Sequence, residues 1–450
     1  MYISERPRQQ VVPTTDVTPA KNRGRVAPTV LALGFVSLFT DISSESVSAI
    51  LPLYLTAVLG LTPLAYGFID GLYQGVSALV RIAGGYLADR LDRPKWVALF
   101  GYGLSAITKP LLLVFTGFGS LSTVITLDRL GKGVRTGPRD ALIAAATPSE
   151  RLGRAFGVHR ALDTVGAAIG PLLAFTVLWQ VPGSYSSVFV ASFAAALIGL
   201  VVLVLLVPNL RPRQAAAERA RRAHAEHSGA ARDGGPTGSP AAERPRPQAS
   251  LRQMKRWGMG RLMIAAAVLS TLAVSDGFLY LSLQQRDDLA ATYFPLLFVG
   301  TNIAYFLLAV PLGRLSDRIG RQKVFVGGHL LLVAAYLAAA GPSFGAASTL
   351  LCLLFLGAFY AATDGVLAAL TASLVPDAVR GMSIATTQTV VAVGRFAAAI
   401  LFGMLWTVTG RGPAVLYFAV MLLVAIPLAW WMLSTVKAIQ SSELSAAAAE

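Results

Sequence analysis

Two carboxylates four residues apart, Asp41 and Glu45, interrupt an otherwise apolar stretch of the chain. Four residues is about one helical turn, so both side chains share a face and reach into one space. Carboxylates crowded where water is scarce resist ionising together, which suits groups that take up and release a proton. Steps of four, three and four then join Asp128, Lys132, Arg135 and Arg139, with Arg129 beside this line and Asp140 beyond it. That spacing draws one charged stripe down a helix. His159 and Asp163 form a third one-turn pair, next to Arg160. Asp41, Glu45, His159 and Asp163 are therefore the candidates for proton coupling. Arg129, Lys132 and Arg135 are the candidates for meeting a ligand, together with Asp276, Asp364 and Arg395 later in the chain.

These charges need an apolar frame to hold them. The 450 residues are 55% hydrophobic and only 14% charged, with a mean hydropathy of +0.62. Soluble domains carry about 25% charged residues, so water is not the main solvent here. A membrane span takes roughly 20 apolar residues to cross a hydrocarbon core of about 30 Å. Hydropathy predicts spans near 29–58, 64–88, 96–116, 121–146, 154–179 and 186–208, then near 259–283, 290–312, 324–341, 346–372, 382–408 and 412–435. The expected fold is an all-α membrane protein of twelve transmembrane helices in two pseudo-symmetric six-helix halves, 29–208 and 258–435. At the bilayer centre an ionisable side chain costs at least ~2.5 to 3.5 kcal/mol on insertion scales, so each charge listed above demands a partner or a task.

The connection 209–257 carries eleven Lys and Arg against four Asp and Glu and is built largely of Ala, Pro, Gly and Arg. Such a composition cannot form a core, and it predicts a basic disordered linker. The formal net charge of +15 then reflects loops rather than a nucleic-acid surface, because cytoplasmic loops of membrane proteins collect Lys and Arg. Arg90, Arg93, Lys95, Arg151, Arg154, Arg314, Arg318, Arg321, Lys323 and Arg380 all fall on connections of one parity, shared with the linker. This places both tails, 1–28 and 436–450, in the cytoplasm of a multi-pass protein of the plasma (inner) membrane. The basic segment 1–28 precedes an apolar run too long for a signal-peptide core and reads as an uncleaved tail. Cys352 is the sole cysteine, and His224 and His227 lie in the linker without plausible metal partners, so no metal or other cofactor is expected. No Gly-x-x-x-x-Gly-Lys-Ser/Thr loop is present to drive a pump by nucleotide hydrolysis, which argues against an enzyme.

Gly85-Tyr-Leu-Ala-Asp89-Arg90-Leu-Asp92-Arg93-Pro-Lys95 recurs 228 positions later as Gly313-Arg-Leu-Ser-Asp317-Arg318-Ile-Gly320-Arg321-Gln-Lys323. The same offset carries Pro148 onto Pro376, Gly153 onto Gly381 and Gly166 onto Gly394. One gap-free offset across several loops and helices marks the halves as repeats, and repeated membrane halves point to alternating access around a site between them. The Gly-x-x-x-Asp-Arg-x-x-Arg loop and its echo resemble the signature motif of the major facilitator superfamily. Asp92 stands where that family usually has Gly. The resemblance implies a gating role for Gly85, Asp89, Arg90 and Arg93 and for Gly313, Asp317, Arg318 and Arg321. Arg129-x-x-x-Gly133 and Gly166-x-x-x-Gly170-Pro171 are similar to motifs of the proton-coupled drug antiporters, although Leu172, Leu173 and Ala174 depart from the second.

The fourth span contains Gly131, Gly133 and Gly137-Pro138, which predicts a helix interrupted near mid-membrane, with backbone exposed to a ligand. The expected function is proton-coupled secondary transport of a small organic solute by alternating access, with efflux the first choice. Uptake of an organic anion, or of a metal chelate such as a siderophore, is the alternative, suggested by the cations of the fourth span. The expected partners are a small-molecule substrate, protons and the lipid bilayer, with no nucleic acid, and the expected functional unit is a monomer.

Overall fold

The structure is a computed structural model that describes residues 26–148, 151–211, 258–376 and 379–447, without the side chains of Ile82, Ala88, Asp89 and 436–447. Residues 1–25 and 212–257, and with them the expected disorder of the linker, lie outside the described residues. The elements are α1 (Pro28–Leu53, prolonged by a π-helical turn Tyr54–Val58), α2 (Pro63–Leu91), α3 (Pro94–Val114), α4 (Phe118–Ala145), α5 (Leu152–Gln180) and α6 (Tyr185–Leu206). The second half comprises α7a (Met259–Thr271), α7b (Asp276–Asp287), α8 (Phe294–Ile319), α9 (Arg321–Ala340), α10 (Ala346–Leu374), α11 (Arg380–Thr409) and α12 (Arg411–Ala447). Taking α7a and α7b as one broken span, this is the all-helical fold of twelve spans in two halves.

Among the described residues ten of these spans are long and apolar enough to cross a membrane by composition. The exceptions are α2 and α4, at 29 and 28 residues long enough but too polar. They are the helices that carry charge into the interior, Asp70 and Arg81 on one and the stripe on the other. Proline opens several helices, at Pro28, Pro63 and Pro94, where its missing N–H has no intrahelical partner to lose. α12 runs on to Ala447, past residue 435 where the hydropathy ends. Its Ser, Glu, Leu and Ala residues keep helical propensity after the apolar signal has stopped.

The expectation of a break in the fourth span is corrected. α4 is a continuous helix with Pro138 inside it. Its glycines serve close packing instead: a Cβ on Gly131 would lie 2.6 Å from the Gly101 carbonyl oxygen of α3, and one on Gly133 2.9 Å from that of Ser77 on α2. The broken helix is the seventh. Between α7a and α7b the Tyr336 hydroxyl accepts from the Val274 N–H at 2.7 Å and donates to the Leu272 carbonyl at 2.8 Å, satisfying backbone groups that the helix no longer pairs.

The duplicated turn has a conformational explanation. Asp92 ends α2 in the left-handed region (φ 48°), and its counterpart Gly320 lies at φ 104°. Both copies need a positive φ, which Gly adopts freely and which Asp tolerates better than most residues. The lysine of the first copy, Lys95, donates to the carbonyls of Val204 (2.9 Å) and Val207 (2.6 Å) and caps α6.

The halves touch at the end of the bundle opposite the two termini. There α2 and α11 cross so closely that a Cβ on Gly403 would sit 2.5 Å from the Pro63 carbonyl oxygen and one on Gly67 would collide with that of Ala399. Tyr293, before α8, stacks on Phe175 of α5 at 6.2 Å, and Tyr66 of α2 meets Phe278 of α7b edge-on at 4.7 Å. Toward the end that carries the termini the halves part and leave a cavity.

Candidate functional site

The cavity between the halves measures about 470 Å³ and is lined by α2, α5, α7a, α9, α10 and α11. Its charged groups are Arg81 from α2, Arg160 from α5, and Asp364 and Arg395 from α10 and α11. A smaller cavity of about 160 Å³ holds Glu45, Asp70, Tyr73 and Asp276 and lies toward the closed end. Gln74 lines both, so the two cavities are neighbours. Charge is partitioned between them: three carboxylates in the deep part, three guanidinium groups and one carboxylate in the wide part.

The fourth-span stripe is a ladder of ion pairs that ties α4 to α1, α3 and α5. Asp128 sits at its deep end, accepting from Lys109 Nζ at 2.7 Å, Ser105 Oγ at 2.6 Å and Thr108 Oγ1 at 3.1 Å, and from the neighbouring Arg129. Arg129 is only 3% exposed and stacks on the Tyr73 ring with its guanidinium carbon 3.7 Å from the centroid. Arg135 is also buried, 3.8 Å from Asp41 and over the Tyr102 ring. Arg139 approaches Asp140 at 3.0 Å and Asp163 at 3.6 Å, and Ser37 bridges it to Asp163 with hydrogen bonds of 3.1 and 2.6 Å. One rung differs. Lys132 and Glu45 stand 3.6 Å apart with about a third of each side chain exposed, 33% and 28%.

The structure thus gathers Asp41, Glu45 and Asp163 onto one ladder with Lys132 and Arg135. Arg129 and Arg135, expected to meet a ligand, are enclosed by their own partners and line neither cavity. His159 is buried, and its Nε2 has no hydrogen-bond partner among the described residues. The pair Gly166 and Gly170 lets α5 approach α1, since a Cβ on Gly170 would lie 2.7 Å from that of Glu45. In the second half Asp276, the first residue of α7b, accepts from the Tyr360 hydroxyl. Arg395 lies over that tyrosine ring at 5.6 Å and pairs with Asp364 at 3.4 Å, so one chain of contacts joins the deep cavity to the wide one.

Of the loop motif, Gly85 lies beside α4, where a Cβ on Gly137 would come within 2.8 Å of its Cα, and Arg90 and Arg93 are exposed. The side chain of Asp89 lies outside the described part. Asp317 pairs with Arg321 at 3.5 Å, and Arg321 also donates to the Ala369 carbonyl of α10 at 3.1 Å.

Sequence reasoning missed His329 as a site residue. It lines the wide cavity, edge-on to Phe325 and Phe359 at 5.2 Å each. A lone histidine in an apolar helix carries no spacing signal, so only the fold could place it.

Two six-helix halves around a central cavity, closed at one end, have the architecture of a membrane transporter. The sequence profile of the Major Facilitator Superfamily matches residues 33–300 and 275–448, and the chain belongs to that superfamily. An MFS-type transporter of Methanocaldococcus jannaschii is 27% identical over 398 residues, 86% of this chain and 91% of that one. The nitrite extrusion protein of Bacillus subtilis is 32% identical over 184 residues, 38% of this chain and 44% of that one. A solved nucleoside transporter shares the fold with a TM-score of 0.72 at 15% identity, covering 90% of this chain and 99% of that one.

Proposed function

We propose that this multi-pass membrane protein is a proton-coupled transporter that exports a small solute by alternating access, with both termini in the cytoplasm of the plasma membrane. The observation that carries the reading is the pair Glu45–Lys132, about a third exposed and set beside the path between the halves, on a ladder whose neighbouring rungs Arg135–Asp41 and Lys109–Asp128 are more deeply buried. Protonating Glu45 removes the charge that holds Lys132, and a low-dielectric interior makes that loss costly enough to favour a rearranged state. Asp41, one turn away and paired with Arg135, extends the same response. In this orientation the cavity faces the cytoplasm, the state in which an exporter loads. The relative named for extrusion supports the direction, and the basic loops support the orientation.

The test uses purified protein in liposomes loaded with the pH dye pyranine. 4-Hydroxybenzoate, nitrite, benzylamine and uridine are added in turn, and proton movement is recorded for the parent protein and for Glu45→Gln. Solute-dependent proton flux in the parent that disappears in Glu45→Gln is the expected result. Solute flux without proton movement, or proton flux that survives Glu45→Gln and Asp41→Asn together, would overturn the coupling.

A further inference from the structure

We propose that the wide cavity binds an organic acid bearing a hydroxyl or N–H donor, with the acid on the cavity's arginines and the donor on His329. This rests on the transport reading and gives that site its substrate class.

The charge comes first. Arg81, Arg160 and Arg395 face Asp364 alone among the charged lining groups. Arg395 is held by Asp364 at 3.4 Å and Arg160 by Asp163 at 3.7 Å, whereas Arg81 is in no ion pair among the described residues. A carboxylate entering this space meets guanidinium forks of matching geometry, and its arrival offsets the charge of Arg81. An ammonium ion would add to the positive charge of Arg81.

Size comes second. About 470 Å³ falls in the range of pockets that enclose drug-sized molecules and is far more than a three-atom inorganic anion fills. The walls beside the arginines are apolar and aromatic, Phe325, Phe359 and Leu367, and suit a hydrocarbon or aryl body.

His329 supplies the third element. Its Nδ1 lies 2.9 Å from the Phe325 carbonyl oxygen, one turn back on α9. A carbonyl only accepts, so Nδ1 carries the hydrogen, and in the neutral ring Nε2 is left as an acceptor. The edges of Phe325 and Phe359 fix the ring plane. An acceptor held rigidly in the cavity, apart from Asp364, which Arg395 already engages, favours ligands that bring a donor of their own.

The experiment measures binding in detergent by calorimetry, independently of transport, with benzoate, the three monohydroxybenzoates and benzylamine as probes. Expected is binding of benzoate, no measurable binding of benzylamine, and at least one hydroxybenzoate bound about 3- to 10-fold more tightly than benzoate, the worth of one such hydrogen bond. Arg81→Gln should weaken all the acids at least several-fold. His329→Phe should weaken the preferred hydroxybenzoate several-fold more than benzoate and so abolish the preference for the hydroxylated acid. A merely structural role for His329 would instead weaken benzoate and hydroxybenzoate alike. Benzylamine binding as well as benzoate, indifference to Arg81→Gln, or a hydroxyl preference that survives His329→Phe would overturn the proposal. Should the acids bind as described while moving no protons in liposomes, the coupled-transport reading falls and the site stands. Should benzylamine alone drive proton flux, transport stands and this substrate class falls.

Discussion

Lys132 Nζ stands 3.6 Å from Glu45 Oε1 with both side chains about a third exposed, while Lys109 and Asp128, further along the same ladder, meet at 2.7 Å in full burial. On the proposed reading the first pair opens and the second stays shut. An open pair is worth little as static stabilisation, because water screens it, so removing either partner should spare the fold. We expect Lys132→Gln and Glu45→Gln to unfold within a few degrees of the parent in a detergent melt while both lose most solute-dependent proton flux. A collapse of stability in either variant would make the pair structural.

Asp128→Asn should behave oppositely. It keeps the shape but leaves Lys109 and Arg129 buried without their carboxylate, a loss of about 3 to 5 kcal/mol for a broken buried pair. A second substitution, Lys109→Met, removes one of the stranded cations and should restore part of the stability. Reversible unfolding in mixed micelles measures both. If the single variant is as stable as the parent, the triad is not the anchor of α3 on α4.

Tyr336 holds the break in the seventh span through two hydrogen bonds from one oxygen. Tyr336→Phe strands a backbone N–H and a carbonyl in an apolar interior, at about 1 to 3 kcal/mol for each buried group left unpaired. We expect a lower unfolding midpoint, with faster hydrogen exchange confined to residues near 272–276. Unchanged exchange there would show that the break sustains itself without the hydroxyl.

Gly403 lets α11 lie against α2 at the closed end. Gly403→Val places side-chain atoms where the Pro63 carbonyl now sits, so the present state is penalised and the state open at that end gains population. Cysteines introduced at the wide cavity, such as Thr389→Cys, should then react more slowly with a water-soluble maleimide. Equal or faster labelling would mean that the crossing does not limit closure.

Much of this fold is legible in the sequence, because long helical segments, ten of them strongly apolar, and a gap-free repeat are signals that a bilayer enforces. The paired carboxylates and the helix-4 stripe are legible too, since helical spacing alone puts them on faces. What the spacing cannot convey is whether a buried cation faces a ligand or a resident partner. Arg135 met Asp41 across a helix contact that no local pattern encodes, and Arg129 turned to its own neighbour Asp128. The glycines of α4 signalled a break and proved to be contact points, because Gly serves close approach as readily as it weakens a helix. The true break, at 272–275, has only a modest mark: Ser275 in the cap position, with Asp276 opening the next helix. Its other half is Tyr336, two spans away. His329 left no pattern at all.

The central claim is that protonation of the Glu45 and Asp41 rungs moves the two halves, and it can be measured without knowing the solute. Spin labels on Leu91→Cys and Ile319→Cys, exposed at the ends of α2 and α8, report the separation of the halves at the end that carries the termini, in a background with the buried Cys352 changed to Ala. Pulsed electron resonance in liposomes at pH 5.5 and pH 8.0 gives the distance distributions. The account predicts two populations whose ratio changes between the two pH values in the parent and no longer changes when Glu45→Gln and Asp41→Asn are combined. Identical distributions at both pH values in the parent, or a pH response that persists in the double variant, would contradict it.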